Sequence, residues 1–170
     1  MSYDFHLFRR VAGEDPLTTA QAKSEDEDSK PLDPDAERIK KTVADALVAQ
    51  HPGLSKFDYE EIARLHHISA AEAWRRYRHI ELNGPAYGHG IQITLFDHRA
   101  SIRLPYWHAD PVIAKEAMAE VWGYLQTLCR EGSFLAYDPQ LDRVLVLSHG
   151  YVDAIASYLR TVHRLRSLPL

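Results

Sequence analysis

Ile91-Gln92-Ile93-Thr94-Leu95-Phe96-Asp97 and Ser101-Ile102-Arg103-Leu104-Pro105-Tyr106-Trp107 are two runs in which apolar and polar residues alternate. The segment between them, Asp97-His98-Arg99-Ala100, has the composition of a hairpin turn. Before the hairpin, Arg78-His79-Ile80-Glu81-Leu82-Asn83-Gly84-Pro85 alternates in the same way. Alternation sends successive side chains to opposite faces of a sheet, so His79, Glu81 and Asn83 share one face. The stretch therefore predicts paired strands with one apolar face and one polar face.

Proline after an acidic N-cap marks the start of two predicted helices. One begins at Asp33-Pro34 and ends at His51-Pro52-Gly53, and the other begins at Asp110-Pro111 with Gly132 in the C′ position. A last helix is predicted over residues 150–166, capped by Ser148. Its inward residues are expected to be Val152, Ile155, Leu159 and Val162.

Residues 3–9 predict a first strand, and residues 134–137 and 143–147 predict two final strands. The order is β-α-(αα)-β-β-α-β-β-α, without a regular βαβ repeat. We therefore expect an α+β fold: a mainly antiparallel sheet of about five strands with helices packed on it. The βαββαβ skeleton inside this order is compatible with a ferredoxin-like core. A length of 170 residues and an apolar fraction of 45% suit a single domain over residues 1–170.

Residues 58–78 predict a helical hairpin, because Asp58-x-x-Glu61 and Ser69-x-x-Glu72 form two capping boxes. The pair resembles a DNA-binding helix-turn-helix. Three arginines of this segment are candidates to meet phosphates: Arg75, Arg76 and Arg78. However, His67 stands where the turn usually has glycine, and an acidic chain with no basic arm gains little from counterion release. An ordinary helical hairpin that covers the sheet is the favoured interpretation.

Residues 13–32 predict a mobile acidic loop, because they lose periodicity and peak in charge at residues 24–29. Four consecutive acidic residues form the peak: Glu25, Asp26, Glu27 and Asp28. A flexible polyanionic arm steers toward a basic partner, such as the active cleft of a nuclease. These four residues are therefore candidate partner-binding residues.

The sequence contains no recognised catalytic or metal-binding motif. The adjacent His66 and His67 point about 100° apart on a helix, so they cannot share a metal. Gly-x-Ser-x-Gly, Walker A and Gly-x-Gly-x-x-Gly sequences are absent. We therefore expect no catalytic residues, no metal and no cofactor. An enzyme of unrecognised type that uses His79, Glu81 and His108 is the one catalytic hypothesis that remains.

Aromatic and polar residues cluster at two predicted sheet ends, Tyr106-Trp107-His108 and Tyr137-Asp138-Pro139-Gln140. Tyrosine and tryptophan side chains with one solvent-exposed edge are enriched at protein interfaces. Alternatively, Pro105 ends an edge strand and the two aromatic residues after it fold inward, an interpretation we favour slightly for Trp107. The candidate partner-binding residues of the folded region are Tyr106, Trp107, His108, Tyr137, Asp138 and Gln140, with His79, Glu81 and Asn83.

The overall composition restricts the cellular compartment and the classes of partner that we expect for this chain. A formal charge of −4 indicates no general affinity for nucleic acid or for an anionic membrane. The single cysteine, Cys129, permits no internal disulfide and indicates a reducing compartment. No apolar run reaches the roughly 20 residues that span a bilayer, and the first residues show no leader pattern. We expect a cytoplasmic protein without a membrane partner.

Five short motifs carry a resemblance: Met1-Ser2-Tyr3-Asp4, Arg78-His79-Ile80-Glu81-Leu82-Asn83, Gln92-Ile93-Thr94-Leu95-Phe96-Asp97, Pro105-Tyr106-Trp107 and Tyr137-Asp138-Pro139-Gln140. Together they resemble small bacterial proteins that look like single-domain immunity proteins, which accompany polymorphic or type VI-secreted toxins. The resemblance touches most of the chain and carries no catalytic residue. It implies a non-enzymatic immunity protein that covers the active site of a cognate toxin, such as a basic nuclease-like effector. A nucleic-acid-binding regulator of the helix-turn-helix type is the alternative.

Overall fold

The computed structural model describes residues 1–22 and 33–167. Within these residues seven strands form one sheet, and every neighbouring pair is antiparallel. The strands are β1 (Ser2–Arg9), β2 (Ser55–Lys56), β3 (Ile80–Asn83), β4 (Gln92–Leu95), β5 (Arg99–Pro105), β6 (Phe134–Asp138) and β7 (Arg143–Val144). They lie side by side in the order β2-β3-β4-β5-β1-β6-β7. The helices are α1 (Pro16–Gln21), α2 (Pro34–Gln50), α3 (Tyr59–Leu65), α4 (Ala70–Arg76), α5 (Pro111–Gly132) and α6 (Tyr151–Arg166).

The central strand β1 shows why the sheet has two different faces. Tyr3, Phe5 and Leu7 are buried, while the residues between them lie on the opposite face. The register continues this separation into β5, where Phe5 lies opposite Ile102. Because directly opposed residues point to the same face, the buried face extends across the neighbouring strands. The predicted alternation of apolar and polar faces is confirmed.

Helices α2, α5 and α6 cover the apolar face and share one hydrophobic core with it. Trp122 of α5 meets the ring of Phe5 edge-on, with ring centroids 6.2 Å apart. Tyr158 of α6 contacts Tyr3 at 6.0 Å. Aromatic contacts of this kind add to the free energy gained from apolar burial. The helices therefore form a single layer on one side of the sheet.

The α+β class predicted from the sequence is confirmed, with seven strands in the described residues where about five were expected. Strand β2 was not predicted, because two residues are too short to leave an alternation pattern. The strand predicted over residues 143–147 is present but shorter, as the two-residue edge strand β7. Strands β4-β5-β1-β6 lie in the order of a ferredoxin-like sheet. However, α2 leads from β1 to the edge strand β2 and not to β4, so the connection differs. Among the described residues, no helix is both long and apolar enough to cross a bilayer.

Part of the predicted acidic loop is helical instead. Asp15 is the N-cap of α1, and its Oδ2 accepts a hydrogen bond from the Thr18 backbone N–H at 3.0 Å. Pro16 follows as the first helical residue, the same signal that starts α2 and α5. The expectation of a loop over the whole of residues 13–32 is therefore wrong for 16–21. The acidic residues Glu25, Asp26, Glu27 and Asp28 lie outside the described residues.

Two predicted helix ends also need correction. Gly132 lies inside α5, and Ser133 after it adopts the left-handed conformation with φ of 54°. Gly132 is needed for space and not for its φ, because a Cβ there would lie 2.4 Å from the Phe134 ring. Helix α6 has Gly150 as its N-cap with no side-chain hydrogen bond, so Ser148 does not cap it.

The inward face of α6 is shifted from its predicted phase. Val152 is 69% exposed, although it was expected to point inward. Leu159 is half-buried at the edge of the core, whereas Ile155 and Val162 are buried as predicted. The polar-tipped Tyr158 occupies the centre of the buried stripe, because its hydroxyl donates a hydrogen bond to the Pro105 carbonyl at 2.5 Å.

A buried hydrogen bond joins the first strand to the β6 end of the sheet. The Tyr3 hydroxyl donates to Asp138 Oδ2 at 2.6 Å, and Asp138 Oδ1 accepts from the backbone N–H groups of Gln140 and Leu141. Burial raises the pKa of both the Asp138 carboxyl and the Tyr3 phenol. The bond therefore satisfies a carboxylate that has no access to water.

We expect Tyr3→Phe to lower the free energy of unfolding by about 1–3 kcal/mol, because it leaves a buried carboxylate oxygen without its donor. In an Asp138→Ala background the same replacement should cost less, since the acceptor is already gone. Urea unfolding of the four proteins in this cycle measures the coupling. Additive effects would contradict the assigned bond.

We expect Gly132→Ala to destabilise the fold by about 1–3 kcal/mol, because the added methyl group overlaps a rigid aromatic ring. Gly123→Ala in the same helix is the matched control. Its Cβ would meet one side-chain atom, His51 Cε1, at 3.2 Å, and alanine gains about 1 kcal/mol in helix propensity. Equal unfolding midpoints in urea for the two variants would contradict this packing.

Candidate functional site

The face of the sheet opposite the helices carries a cavity of about 870 Å³. We call this surface the open face. Its outward side chains come from β1, β3, β4, β5 and the segments at their ends: His6, Phe8, His79, Glu81, Gln92, Thr94, Phe96, Arg99, Ser101 and Arg103. His6 and Arg103 are exposed, so the cavity opens to solvent.

Strand register places polar side chains in rows across the open face. His6 lies opposite Ser101, Ser101 opposite Thr94, and Thr94 opposite Glu81. On the other side of His6, the row continues to Tyr137 of β6. Neighbouring strands are about 4.8 Å apart, so the row from Glu81 to His6 presents a hydrogen-bonding group at each step, whereas the Tyr137 hydroxyl is bonded to Asp142.

A second group on the open face combines arginine with aromatic rings. The Arg99 guanidinium lies 4.5 Å from the centroid of the Phe96 ring. His79 contacts the same phenylalanine, with ring centroids 5.6 Å apart. Phe8 lies directly opposite Arg99 in the register. Stacking orients the guanidinium plane, which is the group that recognises carboxylates through paired hydrogen bonds.

Helix α1 borders the open face beyond β1. Its Thr19 and Ala20 contribute to the lining of the cavity. Gln21 at its end donates a hydrogen bond to Asp142 Oδ1 at 2.7 Å, and the same oxygen accepts from the Tyr137 hydroxyl at 2.6 Å. The helix is therefore fixed to the loop between β6 and β7, and it forms a wall beside the strands.

A buried ionic network lies beside the β4–β5 turn, where α2 meets the sheet. Lys40 has a side chain only 1% exposed, and its Nζ lies 2.7 Å from both Glu37 Oε2 and Asp97 Oδ1. Arg78 Nη2 binds the second oxygen of Asp97 at 3.1 Å. Lys40 also lies 5.7 Å from the centroid of the Trp74 ring. The network therefore connects α2, α4 and the turn that follows Phe96.

The predicted helical hairpin is present, with capping at both starts. Asp58 Oδ1 accepts from the Glu60 backbone N–H at 2.8 Å, and Ser69 Oγ accepts from the Glu72 N–H at 3.1 Å. Helix α4 ends at Arg76, two residues before the predicted end. His67 in the turn has φ of 54°, the left-handed conformation that glycine usually supplies there.

Two of the three arginines considered for phosphate contacts have acidic partners. Arg76 pairs with Glu72 at 2.9 Å, and Arg78 belongs to the buried network through Asp97. Arg78 is therefore a structural residue in the fold. Arg75 is exposed on α4, and its Nε lies 3.3 Å from the Ala71 carbonyl.

The structure separates six of the predicted partner-binding residues into three groups. His79 and Glu81 lie on the open face, and Asn83 next to them donates a hydrogen bond to Glu81 Oε1 at 3.0 Å. Asp138 is fully buried and Tyr137 nearly so, and their side chains are used in hydrogen bonds within the fold. Their expected role in direct partner contact is therefore corrected to a structural one. Gln140 is exposed in the β6–β7 loop.

The expectation that Trp107 folds inward and closes the core is wrong. It is 61% exposed, whereas Tyr106 stacks on Tyr158 with ring centroids 5.5 Å apart. Since Tyr106 turns inward after Pro105, the next side chain points away and lies over Gly90. A Cβ on Gly90 would lie 2.3 Å from the indole ring, so only glycine permits this contact.

His108 does not join His79 and Glu81. Its Nε2 lies 2.8 Å from the His89 carbonyl, and its ring lies 5.4 Å from the His89 ring. His89 in turn contacts Glu120 Oε2 at 2.6 Å on the helix side of the sheet. The three residues of the catalytic hypothesis are therefore not brought together. Across residues 1–22 and 33–167, no group of three or more potential ligands is placed to hold a metal ion.

Several residues of the open face were not selected from the sequence: His6, Phe8, Thr94, Arg99, Ser101 and Arg103. The alternation itself was the signal for His6, Thr94, Ser101 and Arg103, because each is a polar residue between two buried residues of β1, β4 or β5. Desolvation lowers the pKa of His6, Asp4 opposes this shift, and Arg99 and Arg103 reinforce it.

Below about pH 6.5, the unfolding free energy should decrease, because the unfolded chain binds a proton at His6 more readily than the folded chain does. His6→Gln should remove part of this pH dependence. The part from His51 should remain, since burial also lowers the pKa of that residue. Urea unfolding between about pH 5.5 and 7.5 measures the slope. His149→Gln, at an exposed position, is the control, and an unchanged slope in His6→Gln would contradict the assignment.

The open face thus combines hydroxyl, imidazole, guanidinium and carboxylate groups on a regular strand framework. This arrangement is suited to multiple hydrogen bonds with a bound surface. No known protein family, curated protein or solved structure matches the chain.

Proposed function

We propose that this chain is a non-enzymatic binding protein that holds a partner protein against the open face. The single observation that carries the proposal is the 870 Å³ cavity, lined by polar, charged and aromatic residues, on the sheet face opposite α2, α5 and α6. Strand pairing fixes the spacing of the residues on this face before binding. Such preorganisation reduces the entropy lost on association.

The width of the open face favours a macromolecular partner. Its outward residues extend over β1, β3, β4 and β5, and three steps between strands amount to roughly 14 Å. A standard protein interface covers about 800 Å² on each partner. A surface several strands wide, with hydrogen-bonding groups in rows, provides the centre of such an interface. The separation of His108 from His79 and Glu81 also favours binding over catalysis.

The partner that we propose is a cognate bacterial toxin, whose active site the chain covers. This part of the proposal rests on the resemblance to single-domain immunity proteins. The single Cys129, half-buried beside the core, is consistent with a reducing compartment, and we propose the cytoplasm.

The test is co-purification with the product of the neighbouring reading frame, followed by affinity measurements on two tryptophan variants. Ser101→Trp places a bulky ring in the centre of the open face and should weaken binding at least about tenfold. Ser148→Trp, in the exposed loop before α6, should bind like the wild type. Failure to capture or neutralise that product, or equal affinities for both variants, would contradict the proposal.

A second candidate is nucleic-acid binding through residues 58–78. The observation that favours it is the left-handed His67, which gives the turn the backbone conformation of a helix-turn-helix despite the missing glycine. For this candidate, Arg75→Ala combined with Arg76→Ala should reduce DNA retention and its salt dependence. Arg164→Ala, on α6, is the control. Absence of DNA retention even at low salt removes this candidate.

A further inference from the structure

We propose that the open face binds an acidic segment of the partner protein, in which the arginines of β5 and of the β1 end pair with carboxylates. The inference rests on the proposed function and specifies the chemistry of the partner. The acidic residues 25–28 predict contact with a basic partner. The present inference concerns different residues, those of the open face, and an acidic segment of the partner.

The described residues of the open face include more arginines than carboxylates, unlike the chain as a whole. Arg99 and Arg103 of β5 and Arg10, just after β1, lie on the open face, whereas the side chain of Arg9 packs over Phe134 on the helix side. Among the described lining residues, Glu81 is the one carboxylate. The chain as a whole carries −4. A locally positive concavity on an acidic protein concentrates the field on whatever enters it, and it favours an anionic group.

Arg103 is the best placed of these arginines to meet a partner. Its side chain is 59% exposed, and its Nε lies 3.9 Å from Asp4 Oδ1. An exposed pair at this distance contributes little to stability, so a partner carboxylate can replace Asp4 at small cost. Arg99 lies at the other end of β5, oriented by its stacking on Phe96.

The spacing of these groups matches an extended peptide. Arg99, Ser101 and Arg103 are alternate residues of one strand, so they are separated by about 6.8 Å each along β5. An extended segment presents its own alternate side chains at the same interval of about 6.8 Å. A segment with alternating Glu or Asp would therefore place successive carboxylates above an arginine, a hydroxyl donor and a second arginine. Thr94 opposite Ser101 supplies another hydroxyl in the centre of the row.

The open face fits an acidic peptide better than a single-stranded nucleic acid. Sequence-tolerant binding of single strands depends on aromatic faces on which bases stack. Phe96 has Arg99 over its ring and His79 against it. A long polyanion would also extend beyond the cavity onto a chain of net charge −4, whereas a short acidic segment stays within the positive region.

The test measures fluorescence anisotropy of a labelled decaglutamate peptide, with decalysine and an oligothymidylate of ten nucleotides as comparison probes. We expect decaglutamate to bind, with affinity that falls as salt rises. Arg10→Glu combined with Arg103→Glu should weaken binding by about tenfold or more. Glu81→Gln should change the affinity in the opposite direction and tighten binding severalfold. Arg160→Glu combined with Arg164→Glu, at exposed positions of α6, is the matched control and should bind like the wild type.

Four results would overturn the inference: no binding of decaglutamate at low salt, preference for decalysine, tighter binding of the oligothymidylate, or equal losses in the two double variants. Urea unfolding and circular dichroism establish that each variant is folded. The experiment does not involve the product of the neighbouring reading frame. If that product binds at the open face but decaglutamate does not, the proposed function stands and only the acidic-segment inference fails.

Discussion

One-sided burial of the antiparallel sheet is the constraint on which the rest of this structure depends. In β1 the inward side chains of Tyr3, Phe5 and Leu7 are buried in the core, and the outward ones reach the open face. Since the side-chain period of a strand is two, a register shift of one residue would exchange these faces. The same hydrophobic effect that binds α2, α5 and α6 to the sheet therefore also fixes which polar groups lie on the open face.

Polar contacts connect the secondary-structure elements at two ends of the sheet. The Lys40 network has four charged groups with little access to water, and it joins α2 and the helical hairpin to the β4–β5 turn. Burying charges costs desolvation free energy, so such a network is better suited to specifying one arrangement than to adding stability. At the opposite end of the sheet, the bond between Tyr3 and Asp138 positions β1 against β6. No residue of either contact lines the cavity of the open face.

The sequence predicted the fold class because alternation, capping boxes and Asp-Pro signals are local patterns. The site was predicted only in part: alternation placed His79 and Glu81 together, but the residues of β1 and β5 that complete the face become neighbours only through strand order. Trp107 was misassigned because its position depends on Gly90, a distant glycine in another loop. Asp138 was misassigned because its burial depends on Tyr3, 135 residues earlier in the chain. Such long-range contacts leave no periodic signal in either segment.

The central proposal is that the partner covers the open face, and histidine labelling of the complex tests it most directly. Diethyl pyrocarbonate acylates accessible imidazoles, and mass spectrometry identifies the modified residues. His6, His79 and His98 line the open face, whereas His149 and His163 are exposed away from it. We expect the bound product of the neighbouring reading frame to protect the first three histidines and to leave the other two reactive. Protection of His149 and His163, with His6 and His79 still reactive, would contradict the account.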